Sequence, residues 1–265
     1  MAKEIVEKQD TQLAMSGFEG VSVTGFAEVG AEDMSIPFLR ILDKGSPQVN
    51  KRDGAYVEGA EAGMIYNTVA NEVYDGEVGI SVMPCYFNRR FIEWKPRESG
   101  GGYMGSYLPD DPIVKTTTKN DKNADVLPNG NLLSNTAQHF VLIATADGSF
   151  SRALITMSST QLKKSRRWIT QMNSLTAMGK NGPFTLPMMS HLYKLTTVPE
   201  QNDMGSWFGW VINKEKQVDL ANKFEKHMFD AGIAFSKSVQ AGEVEVKEPS
   251  AEPASSGVVK DDIPF

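Results

Sequence analysis

Only one cysteine, Cys85, and three histidines, His139, His191 and His227, occur among the 265 residues. An internal disulfide is therefore excluded, and a Cys/His zinc cluster is out of reach. No apolar run approaches the length that spans a bilayer, about 18 residues or more. The opening MAKEIVEKQDTQLAM has no apolar h-region, so it reads as no secretory signal, and a cytoplasmic protein with no membrane partner is expected. Walker-type glycine loops, G-x-S-x-G and H-E-x-x-H are all missing. His139 lies in the apolar run AQHFVLIA and reads as a structural histidine, while His191 and His227 have no Cys or paired acid at ligand spacing. Asp110, Asp111, Asp121 and Asp125 are candidate metal carboxylates for a nuclease, but they fall in a turn-rich segment without a strand-borne third ligand. The expectation is a binding protein with no enzymatic activity, no cofactor and no metal. Cys85, in a β-rich segment, reads as a small buried residue.

One further absence is local. Residues 148–199 contain no Asp or Glu, yet carry Arg152, Lys163, Lys164, Arg166, Arg167, Lys180 and Lys194. The formal net charge of −6 therefore conceals a division. Residues 1–35 hold seven acids against two bases, net −5, and residues 241–265 hold six against two, net −4. The remaining 36–240 is net +3, a mildly basic body between two acidic ends. A second basic cluster, Arg89, Arg90, Lys95 and Arg97 against Glu93, lies within nine residues.

The chain divides in three. Residues 1–33 are polar and Gly-punctuated, an acidic, poorly ordered arm. Residues 237–265 are rich in Glu, Pro, Ala and Ser without apolar periodicity; they cannot bury enough surface to offset chain entropy and read as a disordered acidic tail. The folded body is expected over 34–236, with no internal repeat. It opens with a long strand over 77–94, where Pro84 marks a bulge or an edge position. A glycine turn at 100–102 leads to a second strand over 102–108, and 109–136 reads as a long polar loop. AQHFVLIATA and SFSRALITMS form a hairpin closed at Asp147-Gly148 by a type I′ turn. Ser158-x-x-Gln161 matches a capping box opening a helix over about 159–177, which ends near Gly179. Strands follow over 191–200 and 206–215. A closing helix over about 214–231 places Val218, Ala221, Phe224 and Met228 at helical spacing before Gly232. The fold class is mainly β with a few helices (α+β). With a helix set among the strands, the order suits an OB-fold-like Greek-key barrel carrying insertions and the disordered tail.

Both basic clusters are interleaved with rings. In Tyr86-Phe87-Asn88-Arg89-Arg90-Phe91-Ile92-Glu93-Trp94-Lys95-Pro96-Arg97, strand alternation puts Tyr86, Asn88, Arg90 and Trp94 on one face and Phe87, Arg89, Phe91 and Glu93 on the other. Single-stranded nucleic acid demands this mixture: cations for phosphates, and flat rings for bases, worth about 1–3 kcal/mol per stacked base. The competing reading makes Phe87, Phe91 and Trp94 core residues. In Leu162-Lys163-Lys164-Ser165-Arg166-Arg167-Trp168, helical spacing sets Lys163, Arg166 and Arg167 on one side of the helix. Solvated faces usually carry both signs; this one carries a single sign, which phosphate would neutralise. The DNA-binding candidates are therefore Tyr86, Arg89, Arg90, Phe91, Trp94, Lys95, Arg97, Lys163, Lys164, Arg166, Arg167 and Trp168. Trp207-Phe208-Gly209-Trp210 is the densest aromatic group and reads mainly as core.

The chain ends Asp261-Asp262-Ile263-Pro264-Phe265. This resembles the terminal motif of bacterial single-stranded DNA-binding proteins, whose acidic tip docks onto replication and repair enzymes. The physical logic suits these residues: Phe265 offers a ring and a free carboxylate, Pro264 limits chain entropy, and the aspartates add steering charge. The body does not resemble the bacterial protein. Ile36-Pro37-Phe38-Leu39-Arg40-Ile41-Leu42, Ser46-Pro47-Gln48-Val49 and the run from Glu58 to Thr68 are instead similar to single-stranded DNA-binding proteins of tailed bacteriophages, over about residues 34–215. That resemblance implies an OB-fold core and sequence-independent protection of single-stranded DNA in phage replication or recombination, in the host cytoplasm. The bacterial-type tip implies a tail that recruits replication or repair proteins, and a monomer or homodimer is expected. A strand-annealing recombinase and, at greater distance, a metal-dependent nuclease are the alternatives.

Overall fold

The computed structural model describes residues 25–246, except 27, 31, 32, 122, 146, 203 and 204. Most of the expected acidic arm, and the tail from residue 247 with its tip Asp261–Phe265, lie outside the described residues. Chain contacts separate residues up to Ser35 from those starting at Ile36. The described part of the first unit is turn structure, in which the Val29 N–H donates to Phe26 O (3.2 Å) and the Gly30 N–H to the Asp33 carboxylate (3.0 Å).

The second unit is built, in chain order, from β1 (Phe38–Ile41), β2 (Ile65–Asn67), β3 (Glu72–Tyr74), β4 (Ile80–Trp94), β5 (Tyr103–Tyr107), β6 (Thr118–Lys119), β7 (Asp125–Val126), β8 (Leu132–Ala144) and β9 (Phe150–Ser158). Then come α1 (Leu162–Asn173), β10 (Thr176–Gly179), β11 (Gly182–Thr185), β12 (His191–Asn202), β13 (Gly205–Gln217) and α2 (Lys223–Gln240). Eleven strands make one sheet, ordered β13-β12-β4-β8-β9-β1-β2-β3, with β5 beside β4 and the β6–β7 ribbon attached to β8. β10 and β11 form a separate hairpin. The sheet is mixed: β1 and β9 run parallel, with Phe38 opposite Leu154, and the other pairs are antiparallel.

The sheet curls into a half-barrel, and the expected class, mainly β with a few helices, is the observed one, with two helices among the described residues. Trp210 on β13 and Ile65 on β2 stand near opposite ends of the strand order, yet share one buried cluster with Val82, Val141, Ile155, Tyr193 and Trp168 of α1. In a flat sheet, at about 4.8 Å per strand, those side chains would stand far apart. The curl is pinned where the turns around β2 and β3 meet β12. The Thr197 hydroxyl donates to Gly63 O and its N–H to Gly76 O (2.8 Å). A Cβ on Gly76 would fall 2.1 Å from Gly63 O, so only glycine fits this approach. On the other face Phe38, Met83, Cys85, Phe140 and Leu142 are covered by Met228 and Phe235 of α2. β8 alternates between the two cores, Ala137, Val141 and Ile143 inward and Phe140 and Leu142 outward, which is why its sequence is almost continuously apolar.

The bulge expected at Pro84 is present: Pro84 pairs with Val141 and Tyr86 with Phe140, leaving Cys85 as the extra residue. Elsewhere local signals were overruled. The hairpin closes not by a two-residue type I′ turn but by a longer loop. In it the Thr145 N–H bonds Ser149 O (3.0 Å), the Gly148 N–H bonds Thr145 O (3.2 Å), and Gly148 takes φ 83°. The capping box does not form. Ser158 makes no side-chain cap, and Gln161 Oε1 instead accepts the Trp210 backbone N–H (3.2 Å). α1 is accordingly shorter than expected, and the residues after it turn into the β10–β11 hairpin. The final helix starts and ends later than its sequence pattern suggests. Residues 214–217 stay in β13, and Asn222 caps α2 through the N–H groups of Phe224 (3.0 Å) and Glu225 (3.2 Å). Gly232 does not terminate α2; a Cβ there would meet Cys85 Sγ and Met83 Sδ at 3.3 Å, so it is a close-packing residue inside the helix. With Val239, Val244 and Val246 packed on the outer core, the folded body extends past residue 236. The 109–136 segment is also more structured than a loop, containing the β6–β7 ribbon and the start of β8.

Candidate nucleic-acid interface

β12 pairs with β4 only over Ile80–Val82, and β5 joins it only from Phe91. Between these, residues 84–90 have β8 on one edge and no described strand on the other. Phe87 points toward the inner core, its ring 5.1 Å from that of His139, and Arg89 and Phe91 follow on the same face. Tyr86 lies edge-on to Phe140 at 6.1 Å, with Asn88 and Arg90 following on its face. Arg89 and Arg90 are half-buried, and Arg90 Nη1 donates to Arg89 O (3.2 Å). Phe91 and Trp94 are half-buried, Trp94 edge-on to Tyr103 at 6.1 Å, while Lys95 and Arg97 are exposed.

Glu93, the acid within this cluster, is buried and accepts hydrogen bonds from Tyr107 OH, Asn129 Nδ2 (2.9 Å) and Asn131 Nδ2. Burial alone would raise its pKa; the bonds from Tyr107, Asn131 and Asn129 outweigh it and hold the carboxyl below its ordinary value. The bond to Glu93 pushes the Tyr107 phenol up to about 12. Glu93 thus clasps β5 and the Asn129–Asn131 turn onto β4.

α1 presents Lys163, Arg166 and Arg167 to solvent, without an ion pair among the described residues, and buries Ser165, Trp168 and Met172. Two expected site residues are reassigned here. Trp168 is 1% exposed, stacked on His139 at 4.6 Å and edge-on to Tyr193 at 5.6 Å, so it has no face to offer a base. Lys164 is half-buried and ion-paired with Glu200, the first acid after the acid-free stretch. The pair lies over Gly209, where a Cβ would fall 2.2 Å from Lys164 Nζ. Trp207 Nε1 also donates to Glu200 (2.8 Å), Phe208 packs against Gly63 and Trp210 is buried, so this aromatic group serves the fold.

The histidines do not form a site. His139 Nε2 meets Ser165 Oγ at 2.8 Å in the core, and burial depresses its pKa to about 3, leaving a neutral ring. His191 Nδ1 meets Ser190 Oγ at 2.9 Å, and His227 lies 5.3 Å from the Phe150 ring. Burial pushes the Cys85 thiol up to about 12, so it is inert at neutral pH. Asp111 accepts from the Ile113 N–H (3.0 Å), and Asp125 is paired with Lys119 (3.0 Å). Among the described residues no three His, Cys, Asp or Glu side chains converge on a metal position, and no helix is long and apolar enough to cross a membrane.

The two elements that carry the basic clusters, β4 and α1, both line one cavity of about 330 Å³. Tyr86 and Phe87 line it from β4, Ile169, Met172 and Asn173 from α1, and Thr185, Leu186 and Met188 from the segment beyond. Phe87 is not among the expected DNA contacts, and the sequence carries no signal for Asn173 or Thr185, because the β10–β11 hairpin that completes the wall is not among the expected elements.

Fold and site together define a mainly β protein whose curled sheet sets a cationic helix beside an aromatic, arginine-bearing strand. The chain belongs to the Pam3 phage gp34-like protein family, whose profile matches residues 7–245, and is thus a protein of bacteriophage type. No curated protein and no solved structure matches it.

Proposed function

We propose that this chain binds single-stranded DNA without sequence preference and protects it during phage replication or recombination, with the C-terminal tip recruiting replication or repair proteins. The observation carrying this reading is that α1, which bears the single-sign face Lys163, Arg166 and Arg167, and the strand that bears Tyr86, Arg89, Arg90, Phe91 and Trp94 line one cavity between them. The cations neutralise phosphates and the half-buried rings stack on bases. Lys95 and Arg97 extend the cationic track, while Lys164 and Trp168 support the helix that carries its other half. The acidic tail competes for the cationic face when DNA is absent. The protein binds without turnover.

Titration of tryptophan fluorescence with single- and double-stranded oligonucleotides at several salt concentrations tests this. Binding should favour the single strand and weaken steeply with salt. Affinity unchanged between low and moderate salt would overturn the electrostatic account. Degradation of labelled DNA with Mg²⁺, or accelerated pairing of complementary strands by rings of this protein, would replace it with a nuclease or an annealing recombinase.

A further inference from the structure

The cavity between β4, α1 and the β10–β11 hairpin has a lining unlike the two cores. Its floor is apolar and partly aromatic (Tyr86, Phe87, Ile169, Met172), whereas Asn173 and Thr185 are exposed at its margin. Neither of those two side chains makes a hydrogen bond among the described residues. Its volume, about 330 Å³, lies at the lower end of small-ligand pockets, about 300–1,000 Å³, which is room for one flat ring system. Water there finds few polar partners and is easily displaced.

Cations occur on both of the elements that flank this cavity. Arg89 follows Phe87 by two residues on the same strand face. Arg166 precedes Ile169 by three residues and Asn173 by seven, which places all three on one flank of α1. The hairpin adds Met178, 79% exposed, and Phe184, 48% exposed, on either side of an exposed Lys180. An apolar slot with an amide and a hydroxyl at its margin, flanked by elements that carry arginines, suits a nucleotide: base inside, flanking phosphates on the arginines.

We propose that this cavity receives one nucleobase of the bound strand, held between the Tyr86–Phe87 segment and α1, with Asn173 and Thr185 meeting its polar edge. This rests on the single-stranded DNA reading above and adds a base-sized site to it. The Asn173 amide carries both a donor and an acceptor, and the Thr185 hydroxyl acts as either, so the margin can satisfy any of the bases and binding stays independent of sequence.

The test compares the full chain with Thr185→Trp, which plugs the cavity from an exposed strand position, and with Asn173→Trp, which plugs it from the end of α1. Dissociation constants are measured for oligothymidylate and for an abasic oligonucleotide of equal length and charge, at several salt concentrations. Wild type should prefer the base-bearing strand by roughly five- to a hundredfold, the range one or two stacked bases supply. Both plugged variants, melting within a few degrees of wild type, should lose at least threefold of that preference while keeping its salt slope. Plugged variants that retain the full preference overturn the base site and leave the DNA reading standing. A wild type that binds neither oligonucleotide overturns that reading itself.

Discussion

Trp168 shows how little a residue's neighbours in sequence say about its role. It stands next to Arg167 in a cationic run, yet helical geometry turns it inward against His139 and Tyr193. Trp168→Ala should cost about 3–5 kcal/mol of stability, seen as a lower urea midpoint, and should alter DNA affinity only through that loss. Trp94→Ala should do the reverse, weakening oligonucleotide binding with little change in midpoint. His139 gives a pH signature. Its unfolded-state pKa of 6.5 is depressed to about 3 in the fold by burial, so between those values the unfolded chain binds the extra proton. Stability is then complete above 6.5 and falls as the pH drops towards 3, by at most about 1.4 kcal/mol per pH unit for one proton. His191, depressed by burial and by Lys214, acts in the same sense. Denaturation between pH 6.5 and 5, above the carboxylate range, should show a shallower dependence in His139→Gln than in wild type.

At the scale of elements, α1 is a plug on one side and an electrostatic surface on the other. Its inner residues close the half-barrel, while Lys163, Arg166 and Arg167 face solvent. The double substitution Arg166→Ala/Arg167→Ala should leave the melting temperature nearly unchanged. It should reduce the slope of log Kobs against log salt by about 1.4, two single-strand phosphate contacts at about 0.7 each, as measured by fluorescence titration. β4 is the complementary element. It is legible in sequence as a long β-branched and aromatic run with a bulge at Pro84, and both features are found. β1, β2 and β3 were not legible, because strands of three or four residues are too short to display a period of two. The capping box was legible and misleading: Gln161 had a competing partner in the Trp210 N–H, visible only once β13 lies beside α1.

For the whole molecule, the governing feature is the separation of charge, a body of +3 flanked by ends of −5 and −4. If the C-terminal end screens the cationic face, deleting Asp261–Phe265 should leave oligonucleotide affinity equal or tighter, most clearly at low salt where the Debye length is long. The immobilised full chain should capture replication proteins, and the same deletion should abolish that capture. Weaker DNA binding in the truncated protein would remove the competition from the scheme.

The sequence by itself determined the mainly β class, the long strand with its irregularity at Pro84 and the single-sign face of α1. Each of these follows from local periodicity, side-chain chemistry or composition. Only the tertiary structure decided which cations remain unpaired, since Lys164 meets Glu200 across a fold that sequence distance does not reveal. It alone decided which rings are accessible, because burial is a property of packing between elements. It also decided that strand and helix, each carrying half of the candidate interface, meet at one cavity, a convergence produced by the curl of the sheet and by the hairpin that follows α1.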